Sequence, residues 1–209
     1  MNSLFNMDKP IFQFLSRVFD IMYLNMLFLL CSIPIVTIGA SAAALYYCTL
    51  KICKDRDSSI TNMFFYSLKS NLKQGMIMTI GFLGFLVFLL VDIYACDVGG
   101  IVYVRYIKDL LYIVLVVFAA IVSYAFPLLA QYNNTIRNIL KNALLIAVLN
   151  FGYTCLIVCF NAIPIVLLLY LPELFLLTLP IWSTFGFSVT AMINSKMFVK
   201  IFDKNMAEN

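Results

Sequence analysis

Between Asp20 and Lys51 the chain carries no charged residue, and Pro34 and Gly39 interrupt that run near its middle. Wound as one helix, Ile21–Leu50 would measure about 45 Å, against a bilayer hydrocarbon core of about 30 Å. The run is too long for one simple span and barely long enough for two. The rest of the chain places it in a membrane. The 209 residues are 64% hydrophobic and 11% charged, where a soluble domain carries about 25% charge. Four more uncharged stretches follow, Gln74–Val91, Leu110–Ile136, Asn142–Pro172 and Leu174–Ser195, and each can hold a membrane helix of roughly 20 residues. The expectation is an all-α, polytopic membrane helical bundle, a single domain over 1–209.

Apolar periodicity and helix breakers predict helices over about 11–32, 41–54, 75–95, 109–131, 142–160 and 174–194. Asp8-Lys9-Pro10 reads as a helix start, with proline suited to the first turn and the aspartate to the N-terminal dipole. Pro34 ends the first helix, because it disfavours helix at Ile33 and has no N–H to bond backward. Thr37 and Gly39 then shape a turn, Ser41 offers a cap, and Ala42, Ala43 and Ala44 permit close approach to a neighbour. After a start at Asp57-Ser58-Ser59, an apolar stripe of Ile60, Met63, Phe64, Leu68 and Leu72 flanked by Lys69 and Lys73 predicts an amphipathic helix on the membrane surface over 58–73. Asn161 and Pro164 are expected to end the fifth span, leaving Ile165–Leu171 along an interface. Pro180 is expected to bend the last helix, with Trp182 in an interface belt.

Two topologies compete. With Ile21–Leu50 as one bent span there are five crossings, and Lys9, Arg17, Arg105 and Lys108 lie outside. With a helical hairpin broken at Pro34–Gly39 there are six crossings, both termini are cytoplasmic, and only Arg105 and Lys108 remain outside. The excess of Lys and Arg in cytoplasmic loops favours six. The weakness of that layout is its second arm, which is short for a crossing and would need bilayer thinning or burial against other helices.

Little in the chain points to chemistry. Histidine is absent, which removes the usual acid–base group near neutral pH and the commonest metal ligand. The six cysteines contain no Cys-x-x-Cys pair, and Cys155 and Cys159, four apart on one helix face, read as small apolar packing residues. The formal charge of +4 is explained by span-flanking residues and needs no nucleic acid. No cleavable signal peptide, P-loop, cofactor or metal site is expected, and the protein is not expected to be an enzyme. Charges inside membranes mark function by default, but Asp20, Asp92 and Glu173 all fall near span ends. Asn25, an amide within an apolar helix, is expected to hydrogen-bond to another helix.

The residues from Asn6 to Gly75 carry a resemblance. Asp8, Pro10, Asn25, then Pro34, Thr37, Gly39 and Ala40, with Ala44 before Tyr46, resemble the opening of the YesL family of bacterial membrane proteins. The aromatic-basic segment with Phe64, Phe65, Lys69, Asn71 and Gln74 is similar to that family's next segment. The resemblance implies an integral membrane protein of undefined biochemical activity in the bacterial cell membrane. It further implies an accessory of carbohydrate uptake, because many members are encoded beside sugar ABC importers. The partners it suggests are the lipid bilayer and subunits of such an importer; a small transporter or channel is the alternative. It brings no catalytic residues.

Overall fold

The computed structural model describes residues 10–54, 59–98 and 102–207. The chain is all-helical, with no strand among the described residues. Its elements are α1 (Pro10–Ser32), a 3-10 turn (Ile35–Thr37), α2 (Ile38–Cys53), α3 (Ile60–Val98), α4 (Val102–Gln131), α5 (Ile136–Leu149), α6 (Phe151–Tyr170), α7 (Pro172–Ile181), a π-helical turn (Trp182–Gly186) and α8 (Phe187–Ala207). Among the described residues, six segments are long and apolar enough to cross a membrane, including Leu15–Ser32 and Ile35–Cys53 as separate spans. Arg17 and Val18 line the same cleft as Ile52 and Cys53. The chain between them therefore leaves and returns, which a single bent span cannot do, and α1–α2 is a hairpin.

The hairpin turn is tighter than its sequence suggests. Thr37 closes it: its hydroxyl lies 2.7 Å from both the Cys31 and the Pro34 carbonyl oxygens, supplying a donor to the Cys31 carbonyl in the last turn of α1. Helix resumes at Ile38, so Gly39 belongs to α2 and not to the turn. Ser41 is not its cap either; it is fully buried within the helix. The N–H of Gly39 donates instead to Thr79 Oγ1 at 3.0 Å, and that hydroxyl donates to the Gly75 carbonyl at 2.8 Å. A side chain on α3 thus caps α2.

Glycine is needed at both sides of this contact. A Cβ on Gly39 would sit 2.7 Å from the Gly75 carbonyl oxygen, and one on Gly75 would sit 2.6 Å from the Ala40 nitrogen. The short second arm is stabilised in the same way along its length. Half of the Ile35–Cys53 span is buried, against 17% of Leu15–Ser32 and 11% of Phe151–Tyr170. Ala43 and Leu50 pack into one cluster with Tyr124, Leu128, Ile157 and Phe198. Ala44, Leu45 and Cys48 pack into another with Leu24, Met63 and Phe64. The helix of 16 residues, about 24 Å long, is the axis on which the others pack.

Besides α4, which begins at Val102 and not near 109, and α8, which runs to Ala207 and not to 194, three boundaries differ from the sequence expectation. Segment 58–73 is not a separate surface helix: from Ile60 it is the first part of α3, which runs for 39 residues, about 58 Å. Without a proline, Lys73-Gln74-Gly75 does not break the helix, and Gly75 serves close packing. The proposed start at Asp57-Ser58 lies outside the described residues. The uncharged stretch 142–160 is not one span, because Asn150 (φ −116°, ψ 45°) ends α5, and α6 begins at Phe151. Asn150 folds its own amide onto the Ile146 carbonyl at 3.1 Å, while Thr154 donates to the Ala147 and Asn150 carbonyls. Asn161, Pro164 and Ile165–Tyr170 all lie inside α6, whose 20 residues reach about 30 Å. The short amphipathic helix is α5, with Ile139, Ala143 and Ala147 buried at i, i+4 spacing; its 14 residues cover only about 21 Å.

Candidate functional site

Pro180 lies in the last turn of α7 and has no N–H to donate, so the ladder is interrupted there. The hydroxyls of Ser183 and Thr184 donate to the Pro180 carbonyl at 2.9 and 2.8 Å, and the chain widens into the π-helical turn. The bend expected at Pro180 is therefore a specific defect, and Asn25 of α1 fills it. Asn25 Nδ2 donates to the carbonyls of Ser183 (2.8 Å) and Trp182 (3.2 Å), and its Oδ1 accepts the N–H of Ser188 at 3.0 Å. The Asn25 side chain is fully buried and bridges backbone groups on both sides of the turn. Trp182 packs on Phe187, with ring centroids 5.5 Å apart.

A second polar line crosses the bundle. Ser123 on α4 donates to the Ala119 carbonyl (2.8 Å) and accepts from Asn161 Nδ2 of α6 at 3.1 Å. Asn161 Oδ1 accepts from Asn194 Nδ2 of α8 at 2.9 Å, and the same Asn194 amide reaches the hydroxyl of Tyr46 on α2 at 3.3 Å. Beside it, the hydroxyls of Thr49 and Ser195 lie 2.7 Å apart, and those of Tyr124 and Thr154 lie 2.9 Å apart. Four helices are thus joined by neutral amides and hydroxyls. Asn194 is fully buried and its Oδ1 has no partner. A buried acceptor of that kind suits a water molecule or a solute hydroxyl.

The sequence-selected residues fall into two groups. Asn25 and Tyr46 join the polar interior, while Thr37, Gly39 and Phe64 build the hairpin and its packing; Phe64 is fully buried against Leu24 and Cys48. Asn71 is buried on α3 and donates to Ser67 of its own helix at 3.2 Å. Pro34 is exposed at the turn, Lys69 is exposed on α3, and Pro10 opens α1; Asp8 lies outside the described residues. These positions do not converge on one pocket. Asn161 and Asn194 stand at expected helix ends, and Ser123, inside the expected 109–131 helix, was not singled out. The signal that marked Asn25, a polar side chain in an apolar helix, marks them as well.

Asp20 and Asp92 are half-buried and Glu173 is exposed. Cys155 and Cys159 do not pack into the interior; both are exposed on α6. Among the described residues, no group of three His, Cys, Asp or Glu is placed to hold a metal ion. At the C-terminal end of α2, Lys51 lies over the Tyr47 ring, 4.5 Å from its centroid, in a cleft shared with Lys54 and Gln131.

A family model described as "Protein of unknown function, DUF624" matches residues 21–93, from within α1 to late α3. No curated protein and no solved structure matches the chain.

Proposed function

We propose that this protein is a non-enzymatic, multi-pass accessory of the bacterial cell membrane that assists or regulates a carbohydrate ABC importer. The observation that carries the reading is the two-sided first part of α3. Its inner side, Met63, Phe64, Ser67 and Asn71, is buried, while Phe65, Tyr66 and Leu72 on its outer side are 47%, 67% and 37% exposed, interleaved with exposed Lys69 and Lys73. At about 58 Å, α3 exceeds the hydrocarbon core, and the uncharged run from Gln74 assigns the excess to its N-terminal end. An exposed aromatic-basic strip there suits contact with a membrane partner. The importer as partner class rests on the resemblance of Asn6–Gly75 to the YesL proteins, which fall within the matched family of unknown function. Six candidate spans and the excess of Lys and Arg on one side support a reading with both termini cytoplasmic.

Purification in mild detergent from the native host tests this. Permease subunits of a sugar importer should be retained and should be lost on F65A/Y66A substitution. Purification that never retains a transporter subunit overturns the proposal.

A second reading, a small transporter, is favoured by one observation: the broken α7–α8 helix, which continues into a polar line that includes an unpaired Asn194 oxygen. Interrupted helices mark substrate sites in many carriers. Sugar flux in vesicles containing only this protein would favour it over the accessory role.

A further inference from the structure

The start of α1, the end of α2 and the middle of α8 enclose a cleft of about 450 Å³ lined by Arg17, Val18, Ile21, Ile52, Met192 and Lys196, with Cys53. Its chemistry is divided. Val18, Ile21, Ile52 and Met192 form apolar walls, and the Cys53 and Met192 sulfurs meet at 3.5 Å. The two cationic residues come from helices distant in sequence and both are exposed. Asp20, three residues along α1, is half-buried, and Lys51 and Lys54 stand around the same end of α2.

We infer that this cleft binds the headgroup phosphate and upper acyl chain of an anionic phospholipid. A free phosphate would use the two cations and leave the apolar walls in water. A zwitterionic lipid would use the walls and bring its own cation towards Arg17 and Lys196. Only an anionic lipid matches both halves of the cleft. Basic pockets between membrane helices bind acidic headgroups on this principle, and each nearby Lys or Arg adds a comparable increment of attraction.

The full-length protein, exchanged into nanodiscs of phosphatidylcholine with a minor fraction of phosphatidylglycerol and released into the gas phase, provides the test. Wild type should retain phosphatidylglycerol selectively, and R17Q/K196Q should reduce that retention roughly thirtyfold. Lys141→Gln, a charge change on the exposed side of α5 outside the cleft, should leave it unchanged. Inorganic phosphate and glycerol phosphate should not compete; competition by either would mean a free-phosphate site and overturn the lipid assignment. Equal retention of the two lipids by wild type, which needs no variant, also overturns it, as does unchanged retention by a folded R17Q/K196Q protein. None of these outcomes depends on the importer reading.

Discussion

The contact most open to quantitative test is the bridge from Asn25 to the helix break. Leucine has the same heavy-atom branching as asparagine, so Asn25→Leu removes the amide while keeping its outline. Three hydrogen bonds are lost, of 2.8, 3.0 and 3.2 Å. Bonds between membrane helices average about 0.6 kcal/mol each, which sets a floor near 2 kcal/mol for the three. The Ser188 N–H and the Ser183 carbonyl would also be left beside an apolar side chain, and a buried unpaired group costs about 1–3 kcal/mol. A destabilisation of about 2–4 kcal/mol follows, read as the unfolding free energy in mixed micelles by denaturant titration. Asn25→Asp should be at least as damaging: it keeps an acceptor for Ser188 but turns a carboxylate towards two carbonyl oxygens. A change within about 0.5 kcal/mol for Asn25→Leu would refute the claim that this side chain holds the break in place.

Gly75→Val should destabilise by about 3 kcal/mol or prevent accumulation of the protein, because a Cβ there overlaps the Ala40 backbone; thermal stability in detergent reads this out. Phe64→Ala should cost about 3 kcal/mol, since the ring is fully buried between α1, α2 and α3. Asn161→Leu and Asn194→Leu should be strongly non-additive in the same assay, as each removes the 2.9 Å bond they share. Lys69→Gln, exposed on α3, should change stability by less than about 0.5 kcal/mol.

The fold class was legible because charge depletion and span length are properties of the chain alone. So was the hairpin, since Pro34 acts on its own neighbours and Thr37 bonds only within the turn. What misled was any residue whose role is set by a distant partner. Gly39 looks like a turn glycine until Gly75 is packed against it, and Ser41 looks like a cap until Thr79 supplies one from α3. Asn150 and Asn161 are alike in sequence, yet the first ends a helix and the second reaches Asn194 from within one. Local propensity cannot separate them, because only the second has a donor in Asn194 and an acceptor in Ser123 across the bundle. The π-helical turn is half legible: Pro180 announces a defect, but Asn25, which occupies it, lies more than 150 residues earlier.

These long-range dependencies bear on what the matched segment can do by itself. Residues 21–93 contain the hairpin and most of α3, and so the Gly39–Gly75 contact and the Phe64 cluster. They do not contain the partners that make α2 a stable span. Leu50 and Ala43 pack with residues of α4 and α8, Thr49 pairs with Ser195, and Asn25 bonds only to 182–188. A span of about 24 Å exposed to lipid on those sides would lack both packing and hydrogen-bond partners. The α1–α3 segment therefore specifies a shape that the rest of the chain must complete. Substitutions in α4–α8 are restricted most where they meet α2 and Asn25, whereas the outer side of α3 is restricted only by what it contacts beyond this chain.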